Sequence, residues 1–334
     1  MLIKQTVQAS RALIHTKVNP NVLRGPVFNR ALPKEVPNQP TVQTPPQLAL
    51  PVTDSITVHT AIQQSSLKEM RVGITNEGEF ALLDLEQGVH VAILGASGTG
   101  KSNIAFLIAI RALQLGIHVL CFDGKEGMDW SQLDSHIERY DLNEENMLSL
   151  IAKAFYEYKR RLAIVKAKQV SSFKALSETD REREALMPIL LVIEEFGLVR
   201  YMLEIAHKEK EVEKLDYYLT ILSTQARAVG IHMLLIDQYP EYWNRQLLNS
   251  TKYKLVFKVS PSLAGMVGEQ KAPYLPVRGS FFFMGRRYEA WHIQPELQKL
   301  LTTTEPSPYH ILKLEVQNGN RSDRLLGNGG SPHA

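Results

Sequence analysis

Val89-His90-Val91-Ala92-Ile93-Leu94-Gly95-Ala96-Ser97-Gly98-Thr99-Gly100-Lys101-Ser102 decides the fold of this 334-residue chain. It runs as an apolar strand, then a glycine-rich turn, then Lys-Ser opening a long apolar helical pattern over residues 103–115. Gly95 to Ser102 fits G-x-x-x-x-G-K-[ST], the phosphate-cradling P-loop. The turn through Gly95, Ala96, Ser97, Gly98, Thr99 and Gly100 can aim successive backbone N–H groups at phosphate oxygens. It does so at a helix N-terminus, whose dipole favours an anion. Lys101 is placed to reach the β- and γ-phosphates, and the Ser102 hydroxyl to ligate Mg²⁺.

Working outward, the chain is long enough to bury a full α/β core with room for tails or a small second domain. Its 38 basic and 35 acidic residues nearly balance, so DNA contact would have to come from a local basic surface. The single cysteine, Cys121, excludes an internal disulfide and a cysteine-based metal site, and suits a reducing cytoplasm. No apolar run approaches the 18 or so residues of a membrane span, so no membrane insertion is expected. Residues 1–17 lack the continuous apolar run of a signal peptide.

Residues 1–66 are punctuated by Pro20, Pro26, Pro33, Pro37, Pro40, Pro45, Pro46 and Pro51 and read as an extended or disordered arm. Its functional alternative is an arm that crosses to a neighbouring subunit or docks a protein partner. Residues 67–296 carry the P-loop domain, and residues 297–334, rich in Gly, Asn and Ser, read as a flexible tail. Residues 71–85 alternate around Asn76-Glu77-Gly78-Glu79, a hairpin signal.

Beyond the hairpin, strands are expected at 89–94, 117–122, 189–193, 232–236, 254–259, 279–284 and 288–292, and helices at 101–115, 144–176, 215–228 and 241–248. Gly116 and Gly230 each close a helix directly before a strand, as an αβ junction requires. The fold class is therefore α/β: a P-loop NTPase with a RecA-like, mostly parallel sheet and helices on both faces. Its ligands belong at the carboxyl ends of the strands.

The apolar run from Pro188 to Ile193 ends in Glu194-Glu195. In a P-loop enzyme the first acid beyond such a strand holds Mg²⁺, and the second polarises the attacking water as general base. Glu195 is the expected base and Glu194 the expected metal partner. The usual first acid is Asp, and the extra methylene of Glu194 would shift the metal or replace a bridging water. A further strand, Ile231 to Ile236, runs into Asp237-Gln238-Tyr239-Pro240 and puts the Gln238 amide where a γ-phosphate or attacking water would lie.

These motifs, in this order, resemble the FtsK/SpoIIIE-type DNA translocases of the HerA–FtsK superfamily. The likeness spans residues 70–292. Residues 73–85 look like the family's short strand pair. Asp123-Gly124-Lys125 resembles its Asp-Pro-Lys segment with Gly for Pro, and Tyr158-Lys159-Arg160-Arg161 its Arg-Arg-Tyr helix. Lys210 to Glu213 matches a charged stretch, and Lys258-Val259-Ser260 with Gly279 to Phe282 the last strands. Most specific is Ala226-Arg227-Ala228-Val229-Gly230-Ile231-His232, which looks like Ala-Arg-Ala-x-Gly-Ile-His; Gln238 and Pro240 keep the Thr-Gln-Arg-Pro turn, while Asp237 and Tyr239 depart from it.

The resemblance implies a homohexameric ring that hydrolyses ATP with Mg²⁺ at subunit interfaces and passes double-stranded DNA through its pore. It implies that Lys101 and Ser102 bind phosphate and Mg²⁺, that Gln238 senses the γ-phosphate, and that Arg227 is a candidate arginine finger for the neighbouring subunit. The segment from Lys153 to Lys174 carries seven basic residues against Glu157 alone, and Lys159, Arg160, Arg161, Lys166, Lys168 and Lys174 are candidates for tracking DNA phosphates without reading sequence. With no membrane span and too little C-terminal sequence for a winged-helix module, the expectation is a compact member serving conjugative transfer, packaging or replication of a mobile element. The alternative is a weakly hydrolysing, nucleotide-dependent DNA-binding or assembly factor, motivated by Glu194. A small-molecule kinase fits less well, given the long interval between Ser102 and Glu194.

Overall fold

Thr75 starts the first turn of the computed structural model, which describes residues 68–85, 90–125, 130–275 and 278–291. Its hydroxyl accepts the N–H groups of Glu77 and Glu79, and Gly78 takes φ +87°, so the chain reverses between β1 (Met70–Ile74) and β2 (Phe80–Leu83) as the hairpin signal requires. The Pro-rich arm with its partner-docking alternative and the C-terminal tail lie outside the described residues.

From the P-loop onward the order is β3 (Val91–Leu94), α1 (Lys101–Gln114), β4 (His118–Asp123), β5 (Glu138–Asp141), α2 (Glu144–Ala167), α3 (Glu178–Arg183), β6 (Ile189–Glu194) and α4 (Phe196–Ile205). Then come α5 (Glu209–Gln225), β7 (Ile231–Asp237), α6 (Arg245–Ser250), β8 (Tyr253–Val256), α7 (Pro261–Val267), β9 (Ser280–Phe283) and β10 (Arg286–Glu289). Among the described residues these strands form one sheet in the order β2-β1-β10-β9-β8-β3-β7-β6-β4-β5. The run from β8 to β5 is parallel, and the run from β2 to β9, joined to β8, is antiparallel.

Every residue of β3, β4, β6 and β7 is buried, as strands covered on both faces must be. Ile104, Ile108 and Leu113 of α1 pack with Ile93, Cys121 and Leu234 on one face. Met147 and Leu150 of α2, Phe196 of α4 and Leu219 of α5 cover Leu94, Leu120 and Leu191 on the other. Each such side chain contributes about 2 kcal/mol by leaving water. His118 and His232 at the strand starts, with His90 before β3, are buried, and burial pushes each imidazole down to about 4.

Register then positions the chemistry. Leu94 lies beside Asp237, and Glu194 beside Ile236, so the tips of β3, β7 and β6 end at one level. The strand carrying Gln238 sits between the P-loop strand and the acidic strand.

Several element bounds differ from expectation. The helix expected at 144–176 stops at Ala167, because Gln169 turns left-handed at φ +56° and the Val170 N–H bonds back to the Val165 carbonyl at 3.2 Å. Phe173 then folds under Gly230, where a Cβ would lie 2.9 Å from its ring. The helix expected at 241–248 divides into a 3-10 turn at Pro240–Tyr242 and α6, which the Asn244 side chain caps by accepting the Leu247 N–H at 2.7 Å. Strand β5 was not expected at all: Glu-Arg-Tyr-Asp carries no apolar alternation, and ion pairs hold it at the sheet edge.

Candidate active site

The tip of β3 turns into α1 through Gly95 to Gly100. Gly100 takes φ +110° as the residue before the helix, a conformation that a side chain resists. At Gly95 a Cβ would stand 2.6 Å from the Phe257 Cβ, so only glycine lets the loop lie this close to the end of β8. The loop is fastened on three sides. The Gly95 N–H bonds to the Asp237 carbonyl at 3.3 Å, the Ala96 N–H to Lys258 at 2.9 Å, and the Gly279 N–H to Thr99 at 2.8 Å. Ala96, Ser97 and Gly98 face outward and are exposed. Lys101, 4% exposed, donates from Nζ to the Gly95 and Ala96 carbonyls at 2.8 and 3.0 Å. Burial pushes its ammonium below the ordinary lysine value, against the pull of Glu195.

Glu194, at the end of β6, is fully buried, and both its oxygens are held. Oε1 meets Lys125 Nζ at 2.6 Å and accepts the Ser102 hydroxyl at 3.4 Å, while Oε2 accepts Trp130 Nε1 at 2.9 Å. Lys125 Nζ also donates to Ser102 Oγ at 3.0 Å, closing a triangle. Two details bring Lys125 there. The Asp123 carboxylate accepts its backbone N–H at 2.8 Å, and at Gly124 a Cβ would lie 2.5 Å from the Glu194 carbonyl oxygen. A proline at 124 would meet the same wall, which accounts physically for glycine there. The extra methylene of Glu194 lets its second oxygen reach Trp130, whose ring packs on Phe106 at 4.7 Å between centroids.

Glu195 follows in a left-handed conformation, φ +56°, with its N–H tied to the Ile236 carbonyl at 2.8 Å. Such backbone strain in a non-glycine residue is characteristic of functional positions. Gln238 Nε2 donates to Glu195 Oε1 at 2.6 Å, while Oε2 is buried with no hydrogen-bond partner among the described residues. Burial raises the Glu195 carboxyl above its ordinary value, and the Gln238 hydrogen bond works the other way. The Asp237 side chain ties two backbone segments together. Its carboxylate accepts the Gly197 N–H at 2.6 Å, Trp243 Nε1 at 2.7 Å and the Tyr239 N–H at 2.9 Å, tying the start of α4 to the Gln238 turn.

The donor set at Ser102 and Glu194 is all oxygen and includes a buried carboxylate, which fits a hard divalent cation completed by nucleotide phosphates. Lys101, Ser102, Glu194, Glu195 and Gln238 thus converge at one end of the sheet. Lys125 and Trp130 were not singled out as site residues. Lys125 had a signal in its place two residues past the tip of β4, whereas an isolated tryptophan carried none.

Arg227 does not join this group. It is exposed in a 3-10 turn before β7. The seven residues of β7 separate it from the catalytic tips, about 23 Å at strand rise.

The basic segment is also divided. Lys159, Lys166 and Lys174 are exposed, Lys168 pairs with Asp180 at 2.6 Å, and Arg160 with Glu157 at 2.8 Å. The structure does not present Arg161 to DNA. It is 2% exposed, held by Glu157 at 2.7 Å and by the Val229 carbonyl at 3.2 Å. Glu157 is also not the only acid in play: Glu138 takes Lys153 and Asp180 takes Lys168, each from another element.

A sequence family described as the central domain of helicase HerA matches residues 80–134, from β2 through the P-loop to just past Trp130. No curated protein matches the chain. Among solved structures, the pCW3 conjugation coupling protein TcpA, in its monomer form with ATPgS, is 20% identical with a TM-score of 0.62, covering 72% of each chain. EssC (ATPases 2 and 3) from Geobacillus thermodenitrificans is 18% identical with a TM-score of 0.57 over 73% of this chain and 51% of its own. The cytoplasmic domain of the type VII secretion ATPase EccC from Thermomonospora curvata is 19% identical with a TM-score of 0.55 over 69% and 29%. The chain has the fold of these P-loop ATPases. No helix among the described residues is long and apolar enough to cross a membrane.

Proposed function

We propose that this chain is a cytoplasmic ATPase of the FtsK/SpoIIIE kind that drives double-stranded DNA through a homohexameric ring in the transfer, packaging or replication of a mobile element. The observation that carries the reading is the convergence of Lys101, Ser102, Glu194, Glu195 and Gln238 on one end of the sheet. The likeness to a conjugation coupling protein supports the DNA-transfer setting.

In this reading Lys101 leaves its own loop carbonyls for the phosphates. Ser102 and Glu194 hold Mg²⁺, which when bound supplies charge neutralisation of the phosphates. Glu195 takes the proton of the attacking water, and Gln238, now bonded to Glu195, reports whether a γ-phosphate is present. Arg227, far from its own P-loop, reaches a nucleotide only across a subunit boundary. Lys159, Lys166 and Lys174, with the rim of Arg160 and Lys168, offer phosphate contacts that any register of a duplex satisfies.

ATPase rate with and without linear double-stranded DNA, in wild type and Glu195→Gln, tests the proposal. DNA stimulation that the substitution abolishes supports a motor; a rate near zero and indifferent to DNA in both sinks it. The second reading, a weakly hydrolysing nucleotide-dependent DNA-binding or assembly factor, is favoured by one observation: Lys125 already bonds both oxygens expected to hold the metal.

A further inference from the structure

We propose that Lys125 is a built-in counter-cation whose ammonium holds the metal position until Mg²⁺ exchanges for it. The inference rests on the nucleotide-site reading above and adds a residue-level control to it.

Glu194 is fully buried, and a buried carboxylate without a cation is strongly destabilising. Trp130 gives it a hydrogen bond but no charge. Lys125 Nζ gives the charge at 2.6 Å, and its second contact, at 3.0 Å, is the Ser102 hydroxyl. These are the two oxygens that an Mg²⁺ bound to nucleotide would share, and they lie 3.4 Å apart with the ammonium bonded to both.

The same side chain is built to leave. Its backbone is pinned by Asp123, yet the side chain is 24% exposed on a flexible four-carbon stem. An ammonium and a divalent cation on the same two oxygens repel. Metal entry therefore requires Lys125 to withdraw, and withdrawal without metal takes the ammonium at 2.6 Å away from a fully buried carboxylate. Filling the site is an exchange of one cation for another. The released ammonium, tethered beside the P-loop, is then available to the negative charge that the nucleotide brings.

Two consequences separate this from an ordinary structural ion pair. Divalent metal alone should bind the nucleotide-free protein weakly, because it must evict Lys125. Removing the ammonium should also create a metal site that works without nucleotide.

The test titrates Mn²⁺ into nucleotide-free full-length protein, following free Mn²⁺ by electron paramagnetic resonance, alongside thermal melts with and without Mn²⁺. Lys125→Met should bind Mn²⁺ at least ~10-fold more tightly than wild type, given the charge repulsion removed at this range. Without metal its Tm should fall by about 5–10 °C, the scale of removing one partner from a buried ion pair in a domain of this size. Mn²⁺ should restore that Tm while leaving wild type unmoved. Lys125→Met/Glu194→Gln, which removes both charges of the pair, should recover the Tm without metal and lose the Mn²⁺ site. Unchanged Mn²⁺ affinity in Lys125→Met, or a Tm loss that neither Mn²⁺ nor the second substitution repairs, overturns the proposal. Binding of a fluorescent ATP analogue to wild type, and its loss in Lys101→Ala, keeps the two readings apart. If wild type fails to bind it, the nucleotide reading fails; if it binds but the metal experiment shows no exchange, only the role of Lys125 fails.

Discussion

Gln238 and Glu195 share one short hydrogen bond, Nε2 to Oε1 at 2.6 Å, and the other carboxylate oxygen is buried with no hydrogen-bond partner among the described residues. A carboxylate held this way is half engaged. The amide favours its ionised form, while burial opposes ionisation and prevails, so the carboxyl is raised above its ordinary value of 4.5.

The sign of the pH dependence follows. In its proposed role Glu195 must be ionised to accept a proton, so the acidic limb of the hydrolysis rate should fall through half-maximum above the ordinary glutamate value. Gln238→Leu removes a contact that lowers the carboxyl and should move the half-point further up. Rate against pH, each variant normalised to its own plateau, measures this; a half-point that moves down would remove Glu195 from the role of base.

Gly124→Ala should cost about 1–3 kcal/mol. The added Cβ would stand 2.5 Å from the Glu194 carbonyl oxygen, a backbone atom that cannot swing aside. Gly98→Ala has open space around it and a left-handed backbone as its main obstacle, so it should cost no more than about 1 kcal/mol. Urea unfolding of both proteins gives the comparison, and equal losses would show that contact with Glu194 is not what fixes glycine at 124.

Arg227→Ala subunits should be nearly inactive alone and should regain turnover when mixed with subunits carrying Glu195→Gln. The strand between Arg227 and the catalytic tips forbids action within one subunit. Mixed-subunit ATPase rates decide it, and mixtures no more active than the weighted sum of the two parents count against a finger in trans.

Lys166→Ala should weaken DNA binding uniformly across sequences and lower the slope of log affinity against log salt by about 1. Arg161→Ala should instead destabilise the fold by about 1–3 kcal/mol, since it removes the buried donor to Glu157 and to the Val229 carbonyl, while Arg160 still pairs with Glu157. Salt-dependent binding curves and denaturation on the two variants separate the roles. A normal Tm in Arg161→Ala would refute the structural assignment.

Elements that repeat a short apolar pattern were legible before any coordinates. The P-loop strand, the acidic strand, the glycine junctions and the Asn76–Gly78 turn came through because each obeys a local rule. What escaped depends on partners far along the chain. Strand β5 exists through Arg139 and Glu138 reaching Asp123 and Lys153. Arg161 looks like a free cation until the fold buries it against Val229. Trp130 becomes part of the site only because β4 and β6 are neighbours and Glu194 is long enough to meet it.

The phosphate loop is bonded to more than its own helix. Thr99 holds Gly279, whose carbonyl accepts the Ala290 N–H at 2.9 Å, and Asn103 bonds the Trp291 carbonyl. Both anchors lie at the root of the antiparallel wing, whose outer strand β2 stands three spacings beyond β9, about 14 Å away. Because β9 also pairs with β8, the phosphate loop, the root of the wing and the P-loop strand form one hydrogen-bonded unit, and a change at Gly279 or Trp291 is felt at Thr99 and Asn103.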